Sequence, residues 1–144
     1  MDKLQIRIVN TSGFECPEYK TSCAAGCDLK ALITSPIVMQ PFSRMFIHTG
    51  IRIALPEGYE AQVRGRSGLN RDFGIICPTG TIDSDYRGEI GVVIYNMGAN
   101  PYLITPGQRI AQLVISPVVQ AEWVQVEALE ETERAAGGFG STGK

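Results

Sequence analysis

The segment GTIDSDYRGEI, residues 80–90, lies between two short apolar runs and decides how this sequence is interpreted. Residues 75–77 precede it and residues 90–95 follow it, and this pattern predicts a β-hairpin. The predicted tip carries Asp83, Asp85 and Tyr86. Asp and Gly are common in turns for backbone reasons alone, but a rigid hairpin tip is also a suitable mount for catalytic side chains.

The remainder of the chain also has the pattern of β-strands. Alternating apolar residues bounded by Gly, Pro, Asn or Ser mark residues 4–9, 46–55, 59–63, 102–105 and 110–115. Prolines recur through the middle and leave no room for a long amphipathic helix. A short helix is expected from Ser67, with Ser67 as its cap and Leu69 turned inward. We therefore predict an all-β fold, an antiparallel barrel or distorted jelly roll with one short helix.

Length and charge restrict the class of protein. A chain of 144 residues is the size of one domain, and its net charge of −2 provides no basic field for gripping a nucleic acid polymer. No apolar stretch has the length of a membrane span, and the N-terminal residues lack the apolar block of a signal peptide. We expect a cytoplasmic protein that binds neither membrane nor polymer.

The cysteines and the histidine are expected to have structural roles. The 4 cysteines have neither paired C-x-x-C spacing nor the density of a disulfide scaffold. His48, the 1 histidine, stands among apolar residues without the spacing of a metal ligand.

The C-terminal region divides into an arm and a tail. Residues 118–129 are apolar and strand-like, with Trp123 among them, and their exposed edge favours a partner; an internal edge strand of a monomer is the alternative. From Arg134 the chain is rich in glycine and reads as a flexible tail. Phe139 lies between two glycines, which suggests a ring that docks on a ligand as the tail closes. The expected organisation is a domain over residues 1–129 and a tail over residues 130–144.

Four further segments accompany residues 80–90 in a fixed order. They are AGCDL (25–29), GRSGL (65–69), PGQRIAQ (106–112) and RAAGGFGSTG (134–143). This ordered set resembles the homotrimeric dUTPases, and the resemblance spans about residues 17–143. It implies hydrolysis of dUTP to dUMP and pyrophosphate by metal-assisted attack of water on the α-phosphorus, with Mg²⁺ as the cofactor. It also implies a homotrimer with shared active sites, in which residues 118–129 are exchanged between subunits. Such an enzyme limits uracil in DNA and supplies dUMP for dTTP synthesis.

The resemblance also implies a role for individual residues. Asp83 orients and deprotonates the attacking water, while Asp85 is structural. The implied phosphate-binding residues are Arg66, Ser67, Gly68, Gln112, Arg134, Ser141 and Thr142. The implied base- and sugar-binding residues are Gly80, Thr81, Ile82, Asp83, Tyr86 and Phe139. Asp28 is expected to act on the metal indirectly, through water. Arg109, set in an apolar run, is expected to pair with a buried acid and to lie outside the site.

The sequence departs from the family pattern at two positions and leaves two alternative functions open. Ala135 stands where the family commonly has glycine, and Cys77 stands where related chains often have Asn or Ser. A dCTP deaminase of the same fold is the first alternative. A deaminase needs an acidic residue at the C4 atom of the nucleotide base, and no additional residue of this sequence is assigned to that position. A non-catalytic trimer that binds nucleotide is the second.

Overall fold

The computed structural model describes residues 3–138, which form antiparallel β-strands and, within that range, a single short helix. The elements are β1 (Arg7–Asn10), β2 (Gly26–Lys30), β3 (Ile37–Met39), β4 (Arg44–His48), β5 (Ile51–Ala54), β6 (Tyr59–Gly65), α1 (Ser67–Phe73), β7 (Ile75–Ile76), β8 (Gly80–Ile82), β9 (Gly91–Asn96), β10 (Tyr102–Ile104) and β11 (Arg109–Pro117). The prediction of an all-β fold with one short helix is confirmed.

The strands form two larger sheets and two pairs. One sheet has the order β2-β11-β6-β8 and the other the order β4-β9-β7, while β1 pairs with β5 and β3 with β10. Because successive side chains on a strand point to opposite faces, strands such as β2, β5 and β6 send alternate residues into a common apolar core. On β2, for example, Cys27 and Leu29 are buried while Asp28 and Lys30 are not. The most completely buried apolar side chains are Leu29, Met39, Ile47, Ile90, Val92, Ile94, Ile104 and Ile110.

The strand predicted over residues 46–55 is in fact two strands, β4 and β5. The chain breaks at Gly50, whose φ of 70° is left-handed. A β-carbon there would also lie 2.8 Å from the backbone nitrogen of Ser12, so glycine is required for space as well as conformation. Periodicity misses this break because apolar residues continue on both sides of it.

The predicted hairpin is only partly correct. Its two arms do pair, with Ile75 opposite Asn96 and Ile76 opposite Tyr95. Between them, however, β8 leaves this sheet and pairs with β6 in the four-stranded sheet, where Ile82 lies opposite Ala61. Asp83 therefore follows an edge strand of that sheet and does not lie at the tip of a simple hairpin.

Helix α1 begins at Ser67, so Ser67 is its first residue and the expected serine cap is wrong. The N-cap is Arg66, which has extended backbone and makes no capping hydrogen bond through its side chain. The burial of Leu69 is confirmed, and it fixes the helix to the core. Gly74 ends the helix with a left-handed φ of 69°, as C-terminal caps commonly do.

The arm, residues 118–129, forms no regular secondary structure within this single chain, although its sequence is strand-like. Its apolar side chains project into solvent, with Val119 97% exposed and Trp123 91% exposed. A lone strand without a neighbour has no partner for its backbone groups, which explains why the pattern alone does not produce a strand. Elsewhere, no helix among residues 3–138 is long and apolar enough to cross a membrane, and the four cysteines are free thiols.

Candidate active site

One face of the four-stranded sheet carries a row of polar side chains. Gln112 on β11 lies opposite Asp28 on β2 and, on its other side, opposite Arg64 on β6. Residues directly opposite each other in antiparallel strands point to the same face of a sheet. The adjacent residues Leu113 and Val63 are buried, so the polar row is on the side away from the core.

Asp28 is nearly buried and is held by two arginines. Its side chain is 10% exposed, and Arg109 Nη1 donates a hydrogen bond of 3.1 Å to its Oδ2. Arg66 Nε lies 3.3 Å from Oδ1, at ion-pair distance. That contact is not aligned as a hydrogen bond, so Oδ1 has no hydrogen-bond partner among the described residues. The prediction that Arg109 pairs with an acid is confirmed, and that acid, Asp28, is nearly but not completely buried.

The start of α1 presents charge and free donors beside this ion cluster. Arg66 Nη1 donates to the carbonyl of Arg109 at 3.0 Å, which fixes the guanidinium group against β11. Ser67 and Gly68 follow with exposed positions, and a β-carbon added at Gly68 would meet nothing within 4 Å. The first-turn N–H groups of a helix have no partners within the helix and favour an acceptor. This corner of the molecule is suited to bind an anion.

The loop after β8 has a closely bonded backbone. Tyr86 N donates to Asp83 O at 3.2 Å, which closes a turn. Arg87 Nη1 donates to the carbonyls of Ser84 and Tyr86 at 2.7 and 2.8 Å, respectively. The side chains of Asp83 and Asp85 are left exposed. A carboxylate held on a rigid turn in contact with solvent can orient a water molecule and accept its proton.

The ring of Tyr86 lies over Gly88. A β-carbon at Gly88 would clash with the phenol of Tyr86, so only glycine permits this arrangement. Tyr86 Oη donates a hydrogen bond of 3.0 Å to the carbonyl of Glu89. Tyr86 is 44% exposed, so part of its ring is open to solvent.

Glu89 was given no role by the sequence, yet its carboxylate binds the turn between β4 and β5. Oε1 accepts hydrogen bonds from Thr49 N at 3.0 Å and Gly50 N at 2.7 Å, and Oε2 lies 3.1 Å from His48 Nδ1. Partial burial acts to raise the pKa of Glu89, but the hydrogen bonds from Gly50, His48 and Thr49 outweigh it and hold the pKa below its ordinary value. Its backbone partners are 39 and 40 residues away in sequence, so no local pattern could have revealed it.

The single chain does not bring the predicted phosphate and catalytic residues together. Asp83 continues β8 past the pair of Ile82 and Ala61, toward Glu60, whereas Arg66 follows the opposite end of β6. Arg66 lies six steps along extended chain from Glu60, a distance of about 20 Å. Asp28 and Gln112 lie with Arg66, so the predicted site is divided into two halves within one chain.

The tail is described only as far as residue 138. Arg134 Nε donates to the carbonyl of Gly137 at 3.0 Å, and Gly137 N donates to Arg134 O at 2.9 Å. Ala135 has a φ of 44°, a left-handed conformation that residues other than Gly, Asn and Asp seldom adopt. Phe139, Ser141 and Thr142 were predicted to bind substrate and lie outside the described residues.

A protein-family comparison matches residues 12–143 to the model described as dUTPase. Two relatives are each named deoxyuridine 5'-triphosphate nucleotidohydrolase. The protein from Anaplasma marginale is 49% identical over 140 residues, covering 96% of this chain and 95% of its own. The protein from Fusobacterium nucleatum is 44% identical over 146 residues and covers 100% of both chains.

Solved structures of dUTPases are also similar to this chain. The Staphylococcus bacteriophage 80alpha dUTPase with dUPNHPP matches with a TM-score of 0.85 and 29% identity, covering 99% of this chain and 100% of that one. A mutant dUTPase from phage phi11 of S. aureus, described for the coordination of a structural Mg(II) ion, matches with a TM-score of 0.77 and 28% identity over 90% of this chain and 100% of its own. These similarities confirm the jelly-roll-like β fold.

Proposed function

The chain belongs to the dUTPase family, and from this premise we propose how its residues bind dUTP and how its subunits complete the site. It is a dUTP diphosphatase, which hydrolyses dUTP to dUMP and pyrophosphate. The observation that carries this function is the match of residues 12–143 to the family, together with 49% identity to a nucleotidohydrolase over nearly the whole of both chains. The reaction limits uracil in DNA and supplies dUMP for dTTP synthesis, and we expect it in the cytoplasm.

Asp83 is the catalytic residue. It orients the water that attacks the α-phosphorus and accepts the proton as the new P–O bond forms and pyrophosphate leaves. Its exposure at the end of β8, on a turn closed by Tyr86 N, supports this role. Asp85 is two residues further along the same loop and has no part in the reaction.

The anion-binding corner at the start of α1 takes the phosphates. Arg66 supplies a fixed positive charge, and the backbone and hydroxyl groups of Ser67 and Gly68 supply donors for phosphate oxygens. Gln112, in the polar row beside Asp28, adds an amide donor. From the tail, Arg134 binds the terminal phosphate after it releases the carbonyl of Gly137. Further donors come from Ser141 and Thr142.

β8 and the loop that follows it bind the base and the sugar of the nucleotide. β8 is the edge of its sheet within the described chain, so one side of the backbone at Gly80, Thr81 and Ile82 has unpaired donors and acceptors. These groups pair with uracil and reject cytosine, whose exocyclic group reverses the hydrogen-bond pattern. Tyr86 packs against the deoxyribose and leaves no space for a 2′-hydroxyl, and Phe139 stacks on the base when the tail closes.

Mg²⁺ is the proposed cofactor, and the residues present fit an indirect mode of binding. Mg²⁺ bound to a nucleotide takes most of its ligands from phosphate oxygens and water. Within residues 3–138, no group of three or more His, Cys, Asp or Glu side chains is placed to ligate a metal. Asp28 Oδ1 is buried and accepts no hydrogen bond from any residue between 3 and 138, so it has lone pairs available for a metal-bound water. When bound, the ion would neutralise charge on the triphosphate. Asp28 also forms ion pairs with Arg66 and Arg109 and holds both guanidinium groups in place.

The active enzyme is a homotrimer with shared sites. The distance of about 20 Å between Asp83 and Arg66 along β6 is too great for one chain to hold both around a single α-phosphate. A neighbouring subunit therefore supplies one half of the site. The exposed apolar arm, with Trp123 and Val119, is exchanged between subunits and buried there. A monomer is inactive on this proposal.

Hydrolysis is favoured over both alternatives. The relatives covering nearly the whole chain are named as nucleotidohydrolases, and no comparison supports a deaminase or a non-catalytic binding protein. The test is release of pyrophosphate from dUTP, with Mg²⁺ present, beside dTTP, dCTP and UTP. Rapid release from dUTP alone is expected, whereas ammonia release from dCTP, or no turnover, would overturn the assignment.

A further inference from the structure

Residues 89 and 90 are bonded to the β4–β5 turn by side chain and backbone together. Thr49 N and Gly50 N donate to the Glu89 carboxylate. Thr49 Oγ1 donates to the carbonyl of Ile90 at 2.5 Å, and Ile90 N donates to Ile51 O at 2.8 Å. Thr49 and Ile90 are fully buried, so these hydrogen bonds attach residues 89 and 90 to the protein core.

The turn that Glu89 binds needs an outside acceptor. β4 ends at His48 and β5 begins at Ile51, so the N–H groups of Thr49 and Gly50 lie between strands and have no place in either ladder. A buried N–H without an acceptor is costly, and one carboxylate oxygen satisfies both. The lowered pKa of Glu89, which results from these bonds despite partial burial, keeps that oxygen charged.

The backbone of Glu89 also holds the side chain of Tyr86 in place. Tyr86 Oη donates to the Glu89 carbonyl, and the ring rests on Gly88, the residue before it. The position of the ring is thus set by the backbone of residues 88 and 89. The side chain of Glu89 ties that backbone to the core, and the Tyr86 hydroxyl is hydrogen-bonded to the same backbone.

We propose that Glu89 is a positioning residue for sugar selection: by binding the Thr49–Gly50 amides it holds the Gly88–Glu89 backbone, and so the Tyr86 ring, where a 2′-hydroxyl would clash. This inference rests on the proposed function, in which Tyr86 packs on the deoxyribose. Loss of the carboxylate lets the ring move away. Room for a ribose then appears, and contact with the deoxyribose weakens.

The test is the ratio of kcat/KM for dUTP to kcat/KM for UTP. In Glu89→Ala the ratio is expected to fall at least about tenfold, mainly through a higher KM for dUTP and a lower KM for UTP. Glu89→Gln retains an Oε1 acceptor for both amides and is expected to keep the ratio within about threefold of the unaltered protein. Ile104→Val, in the core strand β10, is the matched control for lost stability. It lowers Tm but leaves the ratio unchanged, because it changes the folded fraction and not the sugar contact.

A double-mutant cycle shows whether Glu89 acts through Tyr86. Tyr86→Phe removes the hydrogen bond to Glu89 O, and its effect on the ratio is expected to overlap with that of Glu89→Ala and not to add to it. If Glu89→Ala does not fold, Glu89→Asp replaces it, since a shorter carboxylate cannot reach both amides. An unchanged dUTP-to-UTP ratio in a folded Glu89→Ala or Glu89→Asp variant would overturn the inference and leave the proposed function intact. Failure of the unaltered protein to hydrolyse dUTP would overturn both.

Discussion

Arg66 and Asp83 lie toward opposite ends of strand β6. Arg66 follows its last residue, whereas Asp83 extends β8 past the pair formed by Ile82 and Ala61. The distance of about 20 Å follows from strand geometry and cannot be removed by side-chain rotation. A reaction that needs both residues at one phosphate therefore needs two chains.

Replacement of Asp83, the proposed general base, tests the step in which the attacking water loses its proton. Asp83→Asn keeps the size of the side chain but cannot accept a proton, so kcat is expected to fall about 10²–10⁴-fold while dUTP still binds. The measurement is pyrophosphate release together with calorimetric binding of a non-hydrolysable dUTP analogue. Asp85→Asn, in the same exposed loop, is the matched control and keeps its activity. Equal losses in the two variants would contradict a specific role for Asp83.

The arm is expected to hold the subunits together. Trp123 is 91% exposed in the single chain, and burial of a tryptophan between subunits makes it an anchor for assembly. Trp123→Glu is expected to weaken the trimer by about 2 kcal/mol or more, with dissociation visible by sedimentation velocity and activity lost on dilution. Trp123→Phe restores an apolar ring and most of the assembly. A Trp123→Glu variant that stays trimeric and active at low concentration would rule out the exchange.

Ala135 places a methyl group where the backbone is left-handed, with a φ of 44°. Ala135→Gly removes a strain of about 1 kcal/mol and is expected to lower the KM for dUTP up to about fivefold if this turn must form for the tail to bind. Ala136→Gly is the control, because its φ is not positive and glycine there adds chain entropy without relieving strain. Identical KM values in both variants would show that the turn has no part in closure.

Acid should weaken the connection made by Glu89. The pKa of Glu89 is lower in the folded protein than its ordinary value of 4.5, so the ionised form favours folding. This contribution is complete above that value and is lost as the pH falls from there through the folded pKa. The urea midpoint of the unaltered protein is therefore expected to fall more steeply than that of Glu89→Gln from about pH 5 downward. Parallel curves for the two proteins would contradict the assignment.

Local pattern predicted much of the fold. Alternation on strands such as β5 and β6 is visible because one face of each is buried. The inward turn of Leu69 follows from its apolar character in a short helix. The break at Gly50 was missed because the requirement for glycine comes from Ser12, which is distant in sequence. Likewise, β8 joins β6 and not its neighbours in the predicted hairpin, a choice made by tertiary pairing.

The candidate site also contains residues whose contacts could be predicted from the sequence and residues whose contacts depend on the folded structure. The pairing of Arg109 with a buried acid was predicted because an arginine within an apolar run needs a counter-charge. Glu89 could not be found, since its partners Thr49 and Gly50 are brought to it only by the folded core. The roles of Asp83, Arg66 and Asp28 came from resemblance and stay predictions. The cytoplasmic location and the division at residue 129 also stay predictions.

The most direct measurement is complementation between two inactive variants. Asp83→Asn and Arg66→Gln are mixed in equal amounts, unfolded and refolded together, and pyrophosphate release from dUTP is compared with that of each variant alone. If Asp83 and Arg66 of one site come from different subunits, random assembly restores about a quarter of the sites, and the mixture recovers about a quarter of the unaltered activity. If mixed trimers form but the mixture is no more active than its components, the two residues act within one chain and the shared site is wrong.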